Sequence, residues 1–416
     1  MTEKKDNRWL VMLGTVIVMM GLGTIYTWSL YNHPLVERFG WDLNSVAATF
    51  SIMSFALAFS TLFSSKVQEK IGLRRLLIFA GITLGAGLII SSQVSSLWLL
   101  YIFAGVMVGA ADGLAYMTTL SNAIKWFPER KGLISGVSVG SYGLGSLLFK
   151  YINGSVLKSV GVSQAFLFWG LIVMVMIVGG SLLVKEAKIT NKAQSITVND
   201  TAQKNYSVKE MLRTKESYLL FVVLFTACMS GLFVIGIVAD IGVSMAGLSA
   251  ASAASAVALV AIFNTLGRII LGTLSDRFGR LKVVSVALSA TAIAVLILSY
   301  AKLNYGLYFG SVAVIAFSFG GNITIFPTVV AEFFGLKNSS QNYGIVYQGF
   351  GLGALSASFV SSILGGFEPT FKLIAILSII SAVIALKLQA PSLKQASGKD
   401  WSIKALDPEK RALHAN

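Results

Sequence analysis

Residues Gly272-Thr273-Leu274-Ser275-Asp276-Arg277-Phe278-Gly279-Arg280 decide the fold. They sit where one long apolar run ends and the next begins, and they join an acid-arginine pair to a glycine closed by a second arginine. A degenerate copy occupies Ser65 to Arg75, where Glu69-Lys70-Ile71-Gly72 is followed by Arg74 and Arg75; Gly72 and Gly279 stand 207 residues apart. Trp126-Phe127 and Phe333-Phe334 repeat at the same offset, and Gly143-Leu144-Gly145 and Gly351-Leu352-Gly353 at 208. Three unrelated patterns at nearly one spacing describe a duplicated unit.

The runs on either side of that stretch show what is duplicated. Of 416 residues, 55% are hydrophobic and 12% charged, against about 25% charged in soluble domains, and the mean hydropathy is +0.76. Apolar blocks fall at 9–31, 43–65, 76–96, 97–119, 132–149, 164–184, 217–239, 250–275, 283–301, 304–330, 341–364 and 370–386. Most are near the ~20 residues that cross a hydrocarbon core, so the chain reads as an all-α membrane protein with twelve transmembrane helices in two pseudo-symmetric six-helix bundles. The first block runs on through Trp28 and Tyr31 with no small-residue cleavage site, unlike a signal peptide. The expected organisation is a bundle at 1–184, a polar linker at 185–216, a second bundle at 217–390 and a tail at 391–416.

The net charge of +15 follows this topology. With the amino terminus in the cytoplasm, 27 of the 33 lysines and arginines fall on that side and five (Arg38, Lys150, Lys158, Lys302, Lys372) on the other. The excess of basic residues in inner loops sets orientation, so both termini are expected in the cytoplasm, the basic loops against anionic lipid, and no nucleic acid as partner. One cysteine, Cys228, excludes a disulfide framework, and His33 and His414 are too far apart in sequence to suggest a zinc site. No metal and no cofactor are expected. No G-x-x-x-x-G-K-[ST] motif is present, so energy would come from a gradient. Two six-helix halves joined by a linker are the layout in which secondary transporters rock about a site at the bilayer midplane. The glycines at Gly136, Gly140, Gly143, Gly145, Gly349, Gly351 and Gly353 follow no strand; in apolar spans they allow close helix approach rather than dinucleotide binding.

The stretch 272–280 resembles the signature loop of the major facilitator superfamily. In this reading Asp276, Arg277 and Arg280 latch one state of the rocking cycle, or simply fix topology. Tyr26-Thr27-Trp28-Ser29-Leu30-Tyr31 with Pro34, the run Asn122 to Gly132 and Asn342-Tyr343-Gly344 resemble the oxalate/formate antiporter family, related to the monocarboxylate transporters. The likeness runs from Asn7 to about Leu388. Within the family it is closest to the enterobacterial pyruvate branch, which shares Ala111-Asp112-Gly113.

Arg268 is the one Lys or Arg deep inside a block, a placement that costs about 2.5–3.5 kcal/mol at the bilayer centre. Its planar fork matches a carboxylate. Either an anionic substrate or an intramembrane acid would offset that cost, and the family resemblance implies the substrate. Asp112 is the only acid placed well inside a block. It would either carry a coupling proton or neutralise Arg268, and the oxalate/formate antiporters resembled here carry an aromatic residue there. Tyr26, Trp28, Tyr116, Phe319, Tyr343 and Tyr347 are candidate cavity aromatics, of which Tyr26 and Tyr347 match aromatic cavity positions of the resembling family. Asn264, one turn before Arg268, and Asn322 are candidate polar cavity residues. The oxalate branch implies a second cation, a lysine, at the position of Phe350.

These readings converge on a monomeric secondary transporter of the bacterial inner membrane that is not an enzyme. It would move a small monocarboxylate, pyruvate or a relative such as lactate or formate, by symport or antiport, with protons as a possible partner. An oxalate/formate-type antiporter and a non-transporting carboxylate sensor are the alternatives.

Overall fold

A chain in hydrocarbon has no water for its backbone and must bond to itself, which turns each apolar block into a helix. The computed structural model describes residues 8–127, 131–187, 205–335 and 338–391, and in it all twelve blocks are helical. They are α1 (8–39), α2 (Leu43–Ile71), α3 (Leu73–Ser91), α4 (Leu97–Trp126), α5 (131–160), α6 (162–183), α7 (Lys215–Ser244), α8 (Ala250–Phe278), α9 (Arg280–Tyr300), α10 (Tyr305–Phe334), α11 (339–364) and α12 (Phe367–Lys387). The chain between α5 and α6 reverses at Gly161 (φ 77°): Gly23 of α1 abuts Tyr142, while Gly14, nine residues earlier, abuts Gly180.

Most helices outrun their apolar blocks, although α3 stops at Ser91, short of the block that ends at 96. Hydropathy ends at the first charged residues, whereas a helix ends at its cap, so α1 continues to Phe39 and stops at Gly40 (φ 66°), and α5 carries Lys150 and Lys158. Helix α7 extends past 239 to Ser244 and takes Asp240 inside, 1% exposed. Asp112 is therefore not the only acid within a helix core, contrary to the sequence expectation.

The duplication is written in the backbone. Gly72 (φ 82°) and Gly279 (φ 93°) both break the chain between helices at the positive φ that glycine adopts without strain. Gly40 and Gly247 do the same, again 207 apart (φ 66° and 64°). Two residues on, Asp42 and Ser249 cap α2 and α8 by accepting from Ser45 and Ser252 backbone N–H groups. Within the halves, α2 packs on α4 as α8 packs on α10, α3 on α6 as α9 on α12, and α1 on α5 as α7 on α11. The halves meet where α2 faces α11 and α5 faces α8.

A symmetry-related pair of close crossings shows what the small residues do. A Cβ on Gly113 of α4 would stand 2.0 Å from the Leu57 carbonyl oxygen of α2, and one on its counterpart Gly320 would stand 2.1 Å from that of Asn264. Without a hydrophobic drive between helices in lipid, such contact is what holds them together. Gly113→Ala is expected to destabilise the purified protein by ~1–3 kcal/mol through overpacking. Gly154→Ala, with nothing within 4 Å of its Cβ, is expected to leave thermal unfolding unchanged.

Both ends of the linker are tied down. Asn122 donates to the Lys185 carbonyl (3.0 Å) and accepts from Ala187 N–H (2.9 Å), and Trp126 donates to the same Lys185 carbonyl (2.8 Å). At the far end Asn338 and Asn342 donate to the Tyr206 carbonyl (3.0 Å each), and Tyr206 N–H donates to Phe334 O. A capping box at Ser207 and Glu210 then starts the short helix Val208–Met211. The middle of the expected linker (188–204, with Lys188, Lys192 and Lys204) lies outside the described residues. So do the tail from 392, including His414, and Lys4, Lys5, Pro128-Glu129-Arg130 and Lys337.

Candidate functional site

Two of the helices lining the middle of the molecule are broken there. In α1 the segment Gly23–Thr27 tightens to a 3-10 turn. Its hydroxyls are used locally: Thr24 donates to Gly21 O and Thr27 to Thr24 O, while Trp169 and Asn153 donate to those two hydroxyls. In α11 the break falls at Tyr347, and Gln348 donates both to Gly344 O (2.8 Å) and across the interface to Ala58 O (2.9 Å). Kinks of this kind need a partner for the freed backbone, and these side chains supply it. Tyr26 sits in the first break and Tyr347 at the second.

Between them lies a cavity lined by Tyr26, Leu57, Tyr116, Tyr142, Arg268, Ile323, Tyr347 and Phe350. Each half contributes four of these. In this conformation the space is about that of one water molecule. Tyr116, Tyr347 and Phe350 form a ladder of near-parallel rings (6.2 Å and 14°, then 4.9 Å and 16°), and Tyr26 meets Tyr142 edge-on at 5.2 Å.

Arg268 is the charged member of this wall. It is 1% exposed. Its Nε donates to Asn264 Oδ1 one turn back (2.7 Å), while its Nη1 is buried without a hydrogen-bond partner among the described residues. Asp112, fully buried, accepts from the Tyr142 hydroxyl at 3.2 and 3.3 Å. No carboxylate lies within ion-pairing distance of Arg268 among the described residues, so the reading of Asp112 as its static partner fails on geometry. The carboxyl instead stands behind Tyr142, whose ring reaches the cavity.

Of the expected cavity residues, Tyr26, Tyr116, Arg268, Tyr347 and Phe350 line it, and Asn264 holds Arg268 from behind. Phe319 packs against the rings of Tyr26 and Phe350 at 6.5 and 6.4 Å. Asn322 is buried with Oδ1 unpartnered but is not a lining residue. Trp28 belongs elsewhere: it is fully buried beside Tyr31 and Phe166 inside the first half, since two residues on from Tyr26 it faces a different side of the helix. Tyr343 packs against Tyr347 with tilted rings, its hydroxyl unpartnered among the described residues. Tyr142, Leu57 and Ile323 were not expected.

The sequence profile of the Major Facilitator Superfamily matches residues 11–254 and 219–402. The chain belongs to that superfamily. Among similar proteins is the uncharacterized MFS-type transporter YhjX of Escherichia coli, 43% identical over 84% of this chain and 86% of that one. The oxalate:formate antiporter of Oxalobacter formigenes is 30% identical over 98% and 97%. Monocarboxylate transporter 9 of Rattus norvegicus is 25% identical over 44% and 36%. The protein is a multi-pass membrane transporter of this superfamily.

The superfamily's signature loop is built as an ion-pair tie across α8, α9 and α10. Arg280 pairs with Asp276 (2.8 Å) and with Glu332 at the end of α10, and also donates to Ser275. Arg277 is exposed and makes no ion pair among the described residues, so the tie runs through Asp276, Arg280 and Glu332. In the first half Arg74 does a comparable job by donating to the Leu182 and Val184 carbonyls at the end of α6, where a cation suits the helix dipole.

Proposed function

We propose that this transporter carries a small monocarboxylate, with pyruvate the leading candidate, across the bacterial inner membrane by alternating access, both termini facing the cytoplasm. One observation carries the reading: a guanidinium buried between the halves, with its Nη1 unpartnered and no acid at ion-pairing distance among the described residues. A carboxylate supplies both the charge and the acceptor. The small ring-walled space suits a molecule of a few heavy atoms once the aromatic walls part. Uptake of labelled pyruvate, lactate, formate, acetate and oxalate into proteoliposomes tests it; saturable binding with no flux would favour a carboxylate sensor.

The similarity to the oxalate:formate antiporter supports a second reading, exchange of a dicarboxylate. Phe350 speaks against it, as it occupies the place of the second cation in the family resemblance and leaves Arg268 the single cation on the cavity wall.

Asp112 and Tyr142 give the route for proton coupling, since a carboxyl hydrogen-bonded to a cavity tyrosine can exchange a proton with the site. Asp112→Asn is expected to keep substrate exchange while losing acceleration by a pH gradient. A variant with wild-type pH response in proteoliposome flux would remove Asp112 from coupling.

A further inference from the structure

At the end of the molecule away from the linker, α1 and α7 meet. Asn32 Nδ2 donates to Gly236 O (3.1 Å) and to Asp240 Oδ2 (2.9 Å), and His33 Nε2 lies 3.1 Å from Asp240 Oδ1. The Asp240 side chain is fully buried and that of His33 is 41% exposed. A buried carboxylate of one half thus hydrogen-bonds Asn32 of the other and lies at ion-pair distance from the adjacent His33, whose ring is partly open to solvent while its Nε2 is turned inward.

Charged and titratable neighbours are few. Glu37 lies one turn along α1, and Tyr308 of α10 donates its hydroxyl to Val238 O beside Asp240. At this end α8 and α11 bring no charged side chain. On the remaining elements Asp42 caps α2, Arg38 bonds Ser163, Lys150 lies over the Tyr151 ring, and Glu368 and Lys372 of α12 pair with each other at 2.9 Å.

We propose that Asn32, His33 and Asp240 form a proton-operated latch between the halves, which holds this end of the cavity shut when His33 is protonated. The close contact with Asp240 raises the His33 pKa above its ordinary value, partly opposed by burial. In the parted state His33 faces water and titrates near the ordinary ~6.5. The contact therefore favours closure fully below that value, and the extra closure is lost as pH rises through the raised pKa of the closed state. Acid on this face shuts the latch, and alkali releases it. The latch is independent of which substrate is carried.

The test uses full-length protein in lipid nanodiscs, where both faces share one pH. Spin labels at Val160→Cys in the first half and Tyr305→Cys in the second, both exposed at this end, report the gap; native Cys228 is buried. Between about pH 5.5 and about pH 8.5, the ratio of long to short distances is expected to rise about tenfold, with a midpoint above ~6.5. His33→Gln keeps a donor but cannot charge, and is expected to abolish the shift. His33→Arg is expected to stay short at both values. A wild-type protein without the shift overturns the proposal, and so does a His33→Gln variant that retains it. Labels at Trp98 and Val160, within one half, serve as the folding control; if His33→Gln disturbs them, His33→Arg decides, and a pH shift surviving there overturns the latch.

Discussion

Arg268→Lys is expected to insert and fold normally yet transport at least about 100-fold more slowly at low substrate. The lysine keeps the charge but offers a point cation in place of a planar fork. It cannot satisfy Asn264 Oδ1 and a carboxylate with the geometry that the arginine's Nε and Nη1 provide. A charge-assisted hydrogen bond is worth ~1.5–3 kcal/mol and a stranded buried acceptor costs ~1–3 kcal/mol, together ~2.5–6 kcal/mol against the ~2.7 kcal/mol of a 100-fold change. Initial rates in proteoliposomes, normalised to inserted protein, measure it. Near wild-type flux with unchanged apparent affinity would show that the carboxylate binds elsewhere.

Phe350→Lys is expected to move the substrate preference from monocarboxylates toward oxalate. In the wild type one cation faces the cavity, so a dianion brings an unpaired charge into a site of low dielectric, at a cost of several kcal/mol. Monocarboxylates should therefore outcompete oxalate by at least about tenfold, or roughly 1.4 kcal/mol. A lysine replacing Phe350 would rise from the same ladder of rings, on the α11 wall that faces α2. The shift should be largest in combination with Asp112→Asn, which removes the nearby carboxyl. Competition of oxalate and pyruvate for labelled uptake reads the ratio. Equal competition in the wild type would defeat the charge argument and favour the antiporter reading.

The membrane helices, their number and the duplication were legible because hydropathy and the 207-residue offset are one-dimensional signals. What the pattern could not convey is where helices bend and how far they run beyond lipid. Trp28 was grouped with Tyr26 although two positions apart on a helix they face different ways, and Asp240 was left outside α7 because that helix runs on past its apolar block. The three unexpected cavity residues were within reach of the offset itself. Phe350 less 208 is Tyr142, Tyr116 plus 207 is Ile323, and Asn264 less 207 is Leu57. Each missed wall is the symmetry mate of a residue singled out on chemical grounds; an apolar mate such as Leu57 or Ile323 carries no chemical signal of its own. The Arg268 mate is Thr61 and the Asp112 mate is Phe319, so the backbone kept the two-fold while the polar chemistry did not.

The lack of an acid beside Arg268 has an electrical side. If Asp112 keeps its proton throughout the cycle, a monoanion on Arg268 lets the halves rock around a neutral pair, whereas the unloaded carrier rocks around a bare cation. A charge crossing the whole membrane field gains or loses ~2.3 kcal/mol per 100 mV. Voltage then leaves the loaded step alone and acts on the unloaded return. Swapping one anion for another never uses that return and is blind to membrane potential, while net accumulation is driven or held back by it.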